Sequence, residues 1–251
     1  MEKMSYFCSV LFNYYTMIRL EGITFGYNKH CPVLEGFNLE FKEGGIYGLL
    51  GKNGTGKSTL LYLMTGLLTP QKGNITIDGY VPHKRMPEMM REMFIVPEEY
   101  NLPNITLAQY VKALKPFYPN FSQDLMERCL LLFDMSPDVH LGHLSMGQKK
   151  KVYISLALAT NTRYLLLDEP TNGLDIYAKS SFRKVMIAGM NEQKTILIST
   201  HQVHDVERLL DHVTIIDRNR VLLSQPLVEQ DESIDLEELF IRTLDNKYTQ
   251  V

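Results

Sequence analysis

The spacing of apolar residues along this chain changes period several times, and each change predicts an element. Ile18 to Thr24 alternates apolar with polar, as does Phe37 to Phe41 ahead of Gly44-Gly45, which predicts two half-buried strands and a turn. Ile46 to Leu50 is uniformly apolar and enters a glycine-rich stretch. Leu60, Leu61, Leu63 and Met64 then repeat at helical spacing, so the order there is strand, loop, helix. Asn74 to Asp78 and Met93 to Val96 read as further strands. Asn101 to Val139 reads as helical, with Thr106 and Ser122 as N-caps and Pro116 and Pro119 as breaks. A helix is predicted from Ser145 to about Ala159. Beyond it the strands Tyr164 to Leu167, Thr195 to Ser199 and Val213 to Ile216 alternate with helical stretches, which implies a parallel sheet covered by helices in an α/β fold. Asp235 to Leu244 closes the pattern as an amphipathic helix with Leu236, Leu239, Phe240 and Leu244 on one face.

Composition narrows this picture. At 251 residues and 45% hydrophobic, the chain has room for one large α/β domain, alone or with a small helical appendage. Its 26 basic and 29 acidic residues leave no cationic excess to neutralise a phosphate backbone, so no nucleic-acid partner is expected. Cys8, Cys31 and Cys129 have neither metal-ligand spacing nor an even disulfide count, which fits a reducing cytoplasm. Apolar runs fall far short of a bilayer span, so membrane association is expected only through a partner. Met4 to Ile18 superficially resembles a secretory signal, but Asn13, Tyr14 and Tyr15 break it and no small-residue cleavage site follows. Residues 1–16 are therefore taken as an extension, with Met17 as an alternative start.

Gly51-Lys52-Asn53-Gly54-Thr55-Gly56-Lys57-Ser58 fits the phosphate-loop pattern G-x-x-x-x-G-K-[ST] and stands after a strand and before a helix, where its mechanism needs it. Glycines let successive N–H groups and the helix N-terminus turn toward anionic oxygens. Lys57 is expected to reach the β- and γ-phosphates of ATP and Ser58 to bind Mg²⁺. Gly51, Asn53, Gly54, Thr55, Gly56 and Thr59 are expected to line the rest of the site. Tyr164 to Pro170 supplies a buried strand with two acids at its C-terminal end, the edge of parallel sheets where ligands gather. Asp168 is expected to hold the metal and Glu169 to act as general base toward water. A bare acidic turn does not explain two carboxylates directly after such a strand in a chain that carries a phosphate loop.

Between these motifs lies Leu144-Ser145-Met146-Gly147-Gln148, and with it the sequence resembles the ATP-binding-cassette (ABC) ATPases, whose signature is Leu-Ser-Gly-Gly-Gln. The resemblance covers about Ile18 to Leu223. It implies a P-loop NTPase fold of the ABC type: a parallel core sheet, an N-terminal antiparallel β subdomain and a helical signature subdomain. The expected domain spans residues 17–224, with the helical subdomain at about 100–160 and a short helical tail at 225–251. Carried over by position, Tyr27 would stack on adenine. Glu98 would take the place of the family's loop glutamine as a metal ligand, and Asp175 would sit in the subunit-contact loop. His201 would touch the γ-phosphate, and Ser145, Met146, Gly147 and Gln148 would face the ATP of a partner subunit.

Two positions depart from the pattern. Met146 replaces a signature glycine, which matters little if the Ser145 hydroxyl and the Gly147 and Gln148 amides carry the contacts. Glu98 places a carboxylate beside the phosphates, as in some export-type members. Of the remaining features, Met86, Met89, Met90 and Met93 are read as core, and Lys149-Lys150-Lys151 as a solvated helix face. Tyr100 to Phe121 is taken, on family position alone, as the surface that touches a membrane subunit.

The resemblance implies an ATP-hydrolysing motor subunit of an ABC transporter, of the ABC-2 export-type branch. It would work head to tail with a second ABC ATPase subunit, identical or paralogous, and with a separate integral membrane permease at the cytoplasmic face. The short stretch beyond Asp217 is taken as too little for the regulatory domain of many sugar importers, so export is the expectation. A soluble ABC ATPase of the iron-sulfur assembly type is the alternative. A nucleotide-binding module without turnover is disfavoured by Glu169 and His201.

Overall fold

The computed structural model describes residues 16–28, 31–217, 219–227 and 235–245. The expectations for residues 1–15 lie outside these.

The strands of the main sheet bury both faces. On β3 (Gly45–Leu50), Ile46 and Leu50 point into one core and Tyr47 and Leu49 into another; β6 (Tyr164–Asp168) divides Leu165 and Leu167 from Tyr164 and Leu166 in the same way. Two-residue alternation with both sets apolar places a strand between two packed layers. The sheet has the order β5-β6-β7-β3-β8-β9, with β5 at Met93–Val96, β7 at Thr195–Thr200, β8 at His212–Asp217 and β9 at Arg220–Pro226. Its first five strands are parallel, and β9 returns antiparallel to β8. β9 escapes sequence reading because it is an edge strand with mixed, half-buried positions and no alternation. It runs to Pro226, so a domain boundary after residue 224 cuts a strand.

A second, antiparallel sheet has the order β2-β1-β4, from β1 (Thr16–Phe25), β2 (Leu34–Lys42) and β4 (Lys72–Ile77). Between the sheets lies α1 (Lys57–Met64), whose Leu60, Leu61, Leu63 and Met64 are buried. α2 (Pro87–Arg91) buries Met89, and Met93 is buried on β5; Met86 is exposed and Met90 half-buried, so only part of the methionine stripe is core.

The helical subdomain has its own core. α3 (Leu107–Leu114) is capped by Thr106 and α4 (Gln123–Leu132) by Ser122; the break falls at a 3-10 turn over Lys115–Phe117, where Pro116 cannot supply a helical N–H. These helices pack Leu107, Met126 and Leu130 against Val152 and Leu156 of α5 (Met146–Ala159). On its other side α5 contributes Ile154, Ala157 and Leu158 to the core beneath the main sheet. α6 (Ile176–Gly189) adds Phe182, Val185 and Met186, and α7 (Leu236–Asp245) adds Leu236.

Strand register positions the site. Leu50 pairs with Thr200, Asp168 with Ser199 and Val96 with Leu167, so four parallel strands end at one edge. The residues that come next, Gly51, Glu169, His201 and the Pro97-Glu98 turn, are gathered there by topology.

Candidate functional site

The loop from Gly51 to Gly56 takes its shape from positions where a side chain cannot fit. A Cβ on Gly51 would meet the Ile216 carbonyl oxygen and Thr55 Oγ1 at 2.7 Å each, and Gly56, the N-cap of α1, has φ 98°, which L side chains rarely adopt. Lys57 opens α1 and turns back: its Nζ donates to the carbonyls of Gly51 at 2.8 Å and Lys52 at 3.2 Å. The same ammonium lies 3.3 Å from Glu169 Oε1, with both side chains about 95% buried (6% and 5% exposed).

Glu169 is held from several sides. His201 Nδ1 is 2.9 Å from Oε1, and because a carboxylate only accepts, Nδ1 carries the proton. The Thr200 hydroxyl donates to Oε2 at 2.9 Å, and the backbone N–H of His201 reaches the same oxygen at 3.4 Å. Glu169 has φ 44°, a left-handed conformation that costs a non-glycine residue about 1–2 kcal/mol and persists because the surroundings over-determine it.

Asp168, fully buried at the end of β6, accepts a hydrogen bond from Ser199 Oγ at Oδ1, while Oδ2 has no hydrogen-bond partner. Burial raises its pKa, the hydroxyls of Ser199 and Ser58 oppose the rise, and the charges of Glu169 and Glu98 add to it. An orphaned carboxylate oxygen in an all-oxygen set with Ser58 and Glu98 fits a hard divalent cation such as Mg²⁺.

Tyr27 packs edge-on against Phe25 with ring centroids 5.2 Å apart, and its hydroxyl is 3.3 Å from Thr59 Oγ1, yet 67% of the residue remains exposed. An open cavity of about 310 Å³ brings Tyr27, Asn53, Gly54, Lys57, Glu98 and Glu169 together.

Ser145 to Gln148 do not line that cavity. They form the head of α5, where Ser145 Oγ accepts from the Gln148 N–H and Gln148 Oε1 accepts from the Ser145 N–H, a reciprocal capping box. The Gln148 amide, expected to face an anion, is thus engaged within the cap. The Ser145 O–H and the Gly147 N–H remain as outward donors, since the first intrahelical bond runs from the Lys149 N–H to the Ser145 carbonyl. Asp175 is likewise an N-cap, accepting from the Ala178 N–H at 2.8 Å at the head of α6.

These elements coincide with what is known of other proteins. The ABC transporter family profile matches residues 34–172, more than half of the chain. The chain belongs to the ABC transporter family. It is 32% identical to the high-affinity zinc uptake system ATP-binding protein ZnuC of Bacillus subtilis over 80% of this chain and 91% of that one. It is 30% identical to the lantibiotic transport ATP-binding protein SrtF of Streptococcus pyogenes over 89% of this chain and 96% of that one. A solved ATP-binding subunit of an ABC transporter superposes with a TM-score of 0.79 at 27% identity, covering 91% of this chain and 100% of that one. The chain is accordingly an ATP-binding, ATP-hydrolysing domain of an ABC transporter. No helix among the described residues is long and apolar enough to cross a membrane.

In this ABC domain one lysine belies the solvated face expected of residues 149–151. Lys150 is 6% exposed, and its Nζ donates to the backbone carbonyl of Glu169 at 3.0 Å. Burial lowers its pKa, an effect opposed by the nearby charges of Glu98, Glu169 and Asp168. Helical spacing held the clue, since Lys150 stands four and seven residues before Ile154 and Ala157 on the apolar face. Sequence reading also missed Ser199, Thr200, Asn172 and Gln202. Ser199 and Thr200 were legible as the polar end of a buried strand beside the two acids; Asn172 stood out only as the start of the turn that ends at Asp175, and Gln202 carried no signal.

Proposed function

We propose that this chain is the motor subunit of an exporter, working head to tail with a second ABC ATPase subunit, identical or paralogous, beneath a separate membrane permease at the cytoplasmic face. The observation that carries the pairing is the division of the site: Ser145 to Gln148 and Asp175 are capped within their own helices, apart from the cavity that holds Lys57 and Glu169. A second copy can bring its own Ser145 and Gly147 to the γ-phosphate lying over Lys57. Export is favoured by Glu98 at the loop-glutamine position and by relatives named for lantibiotic transport and Nod factor export, against the zinc uptake of ZnuC.

In this reading Tyr27 stacks on adenine, the loop from Gly51 to Thr59 cradles the phosphates, and Ser58, Asp168 and Glu98 hold Mg²⁺, which when bound neutralises phosphate charge. Glu169 takes a proton from water as its oxygen bonds to the γ-phosphorus. The bond to the β–γ bridging oxygen breaks, giving ADP and phosphate. His201 fixes the carboxylate through Nδ1–H. Residues 1–16 and 225–251 are assigned no part in this chemistry.

Affinity capture from native membranes tests the assignment. Co-purification of an integral membrane subunit is expected, and recovery of soluble assembly proteins alone would reject it.

A further inference from the structure

Four side chains near the site form one hydrogen-bonded chain. Lys179 Nζ donates to Gln202 Oε1 at 3.0 Å, Gln202 Nε2 to Asn172 Oδ1 at 2.8 Å, and Asn172 Nδ2 to Glu98 Oε1 at 2.9 Å. Both ends fix its direction. An ammonium can only donate and a carboxylate can only accept, so each amide has one orientation that satisfies the whole chain. Lys179 is itself held 2.7 Å from Asp205 Oδ2. Gln202 carries a second branch: its backbone N–H donates to Thr200 Oγ1 at 2.9 Å, and the Thr200 proton goes to Glu169 Oε2. One residue is thus linked toward both carboxylates, to Glu98 through its side chain and Asn172, and to Glu169 through its backbone N–H and Thr200.

We propose that Gln202 and Lys179 are positioning residues that aim the Glu98 carboxylate. The inference rests on the reading of Glu98 as a metal ligand. Glu98 stands in a turn just beyond β5, and an isolated carboxylate there would sample several rotamers before meeting a cation. A bond from Asn172 to Oε1 leaves Oε2 as the oxygen turned to the cation and removes part of that search. The relay also shows what distinguishes glutamate from glutamine at this position. A glutamine can turn either its oxygen or its N–H₂ toward Asn172, whereas glutamate allows one polarity only.

The polarity gives the test. Gln202→Glu is nearly isosteric and keeps the attraction to Lys179, but sets an acceptor on each side of Asn172, whose oxygen must then face one of them. Adding Glu98→Gln restores a satisfied chain running in the opposite sense. Binding of AMP-PNP, a non-hydrolysable ATP analogue, is measured by calorimetry with Mg²⁺ and with EDTA; the ratio of affinities reads the metal-dependent part. Gln202→Glu is expected to lower that ratio about tenfold in the otherwise unchanged chain, and less than about twofold when Glu98→Gln is present. Equal losses in both backgrounds overturn the relay. If Gln202→Glu does not fold, as judged by circular dichroism, Gln202→Leu is paired with Lys179→Met. The double variant is then expected to lose no more than the worse single variant, and additive losses reject the proposal. A parent chain that binds AMP-PNP equally well with Mg²⁺ and with EDTA would instead reject the metal reading itself.

Discussion

The edge where β3, β6 and β7 end and the head of α5 both present donors to an anion, but they are built differently. At the strand edge the groups are buried and cross-linked: Lys57, Glu169, Thr200 and His201 share hydrogen bonds within one cluster, and Asp168 has no accessible surface. At the head of α5 the neighbouring Met146 is 65% exposed, and Ser145 and Gln148 are fixed by bonds to each other. The first region is preorganised by the fold of one chain, so its charges hold their geometry before any ligand arrives. The second is held in shape by its own cap and stands apart from the cavity beside Lys57, so its role in the proposed pairing would come from a partner's nucleotide. That difference is what the proposed sharing of a site between two chains would use.

Substitutions can break or sharpen the comparison. The largest effect is expected from Glu169→Gln, which keeps the side chain's size but removes the base. Turnover should fall about 10²–10⁴-fold while ATP still binds, and near-normal phosphate release would remove Glu169 from its role. Ser145→Ala attacks the other region. Turnover should fall about 10²-fold, with AMP-PNP affinity of the isolated chain unchanged, and helix-cap loss should cost about 1 kcal/mol in urea unfolding. A loss of affinity in the dilute monomer would contradict the division into half-sites.

Lys150 lies between the two regions. Lys150→Met should slow turnover about tenfold, the scale of a slightly misplaced catalytic group, with Lys150→Arg restoring part of the rate and ATP affinity little changed. Equal rates in all three proteins would leave Lys150 a packing residue. The smallest effect on catalysis, none, is expected at Lys194, whose ammonium is buried and donates to the Gly189 carbonyl at 2.7 Å. Burial lowers its pKa from 10.5 to about 8. Between those values the unfolded chain binds the extra proton, so this residue's contribution makes the fold more stable as pH rises from about 8 to 10.5. Lys194→Met should abolish that rise in urea melts and raise stability near pH 7 by about 1–3 kcal/mol.

Much of the strand edge was legible in the sequence because its residues come directly after buried strands. An apolar run that ends in glycines or in two acids leaves few other readings, and parallel register does the rest. The capped heads of α3, α4 and α5 were legible for a similar reason, since Thr106, Ser122 and Ser145 act within one turn of themselves. What stayed hidden depends on pairings remote in sequence. Asn172 meets Glu98 across 74 positions and Lys150 meets Glu169 across 19. β9 was hidden because an edge strand need satisfy only one neighbour, which frees its side chains from strict alternation.

The bond from Lys150 to the Glu169 carbonyl has a mechanical meaning. Ser145 and Lys150 are five residues apart at the start of one helix, about 7.5 Å along its axis at 1.5 Å per residue. In the proposed head-to-tail pair, the first end of that segment would touch one nucleotide, while the second grips the backbone beside Glu169 of its own chain. In that proposal the segment, about 1.4 turns long, is a stiff strut that ties the nucleotide-facing head of the helix to the backbone beside Glu169.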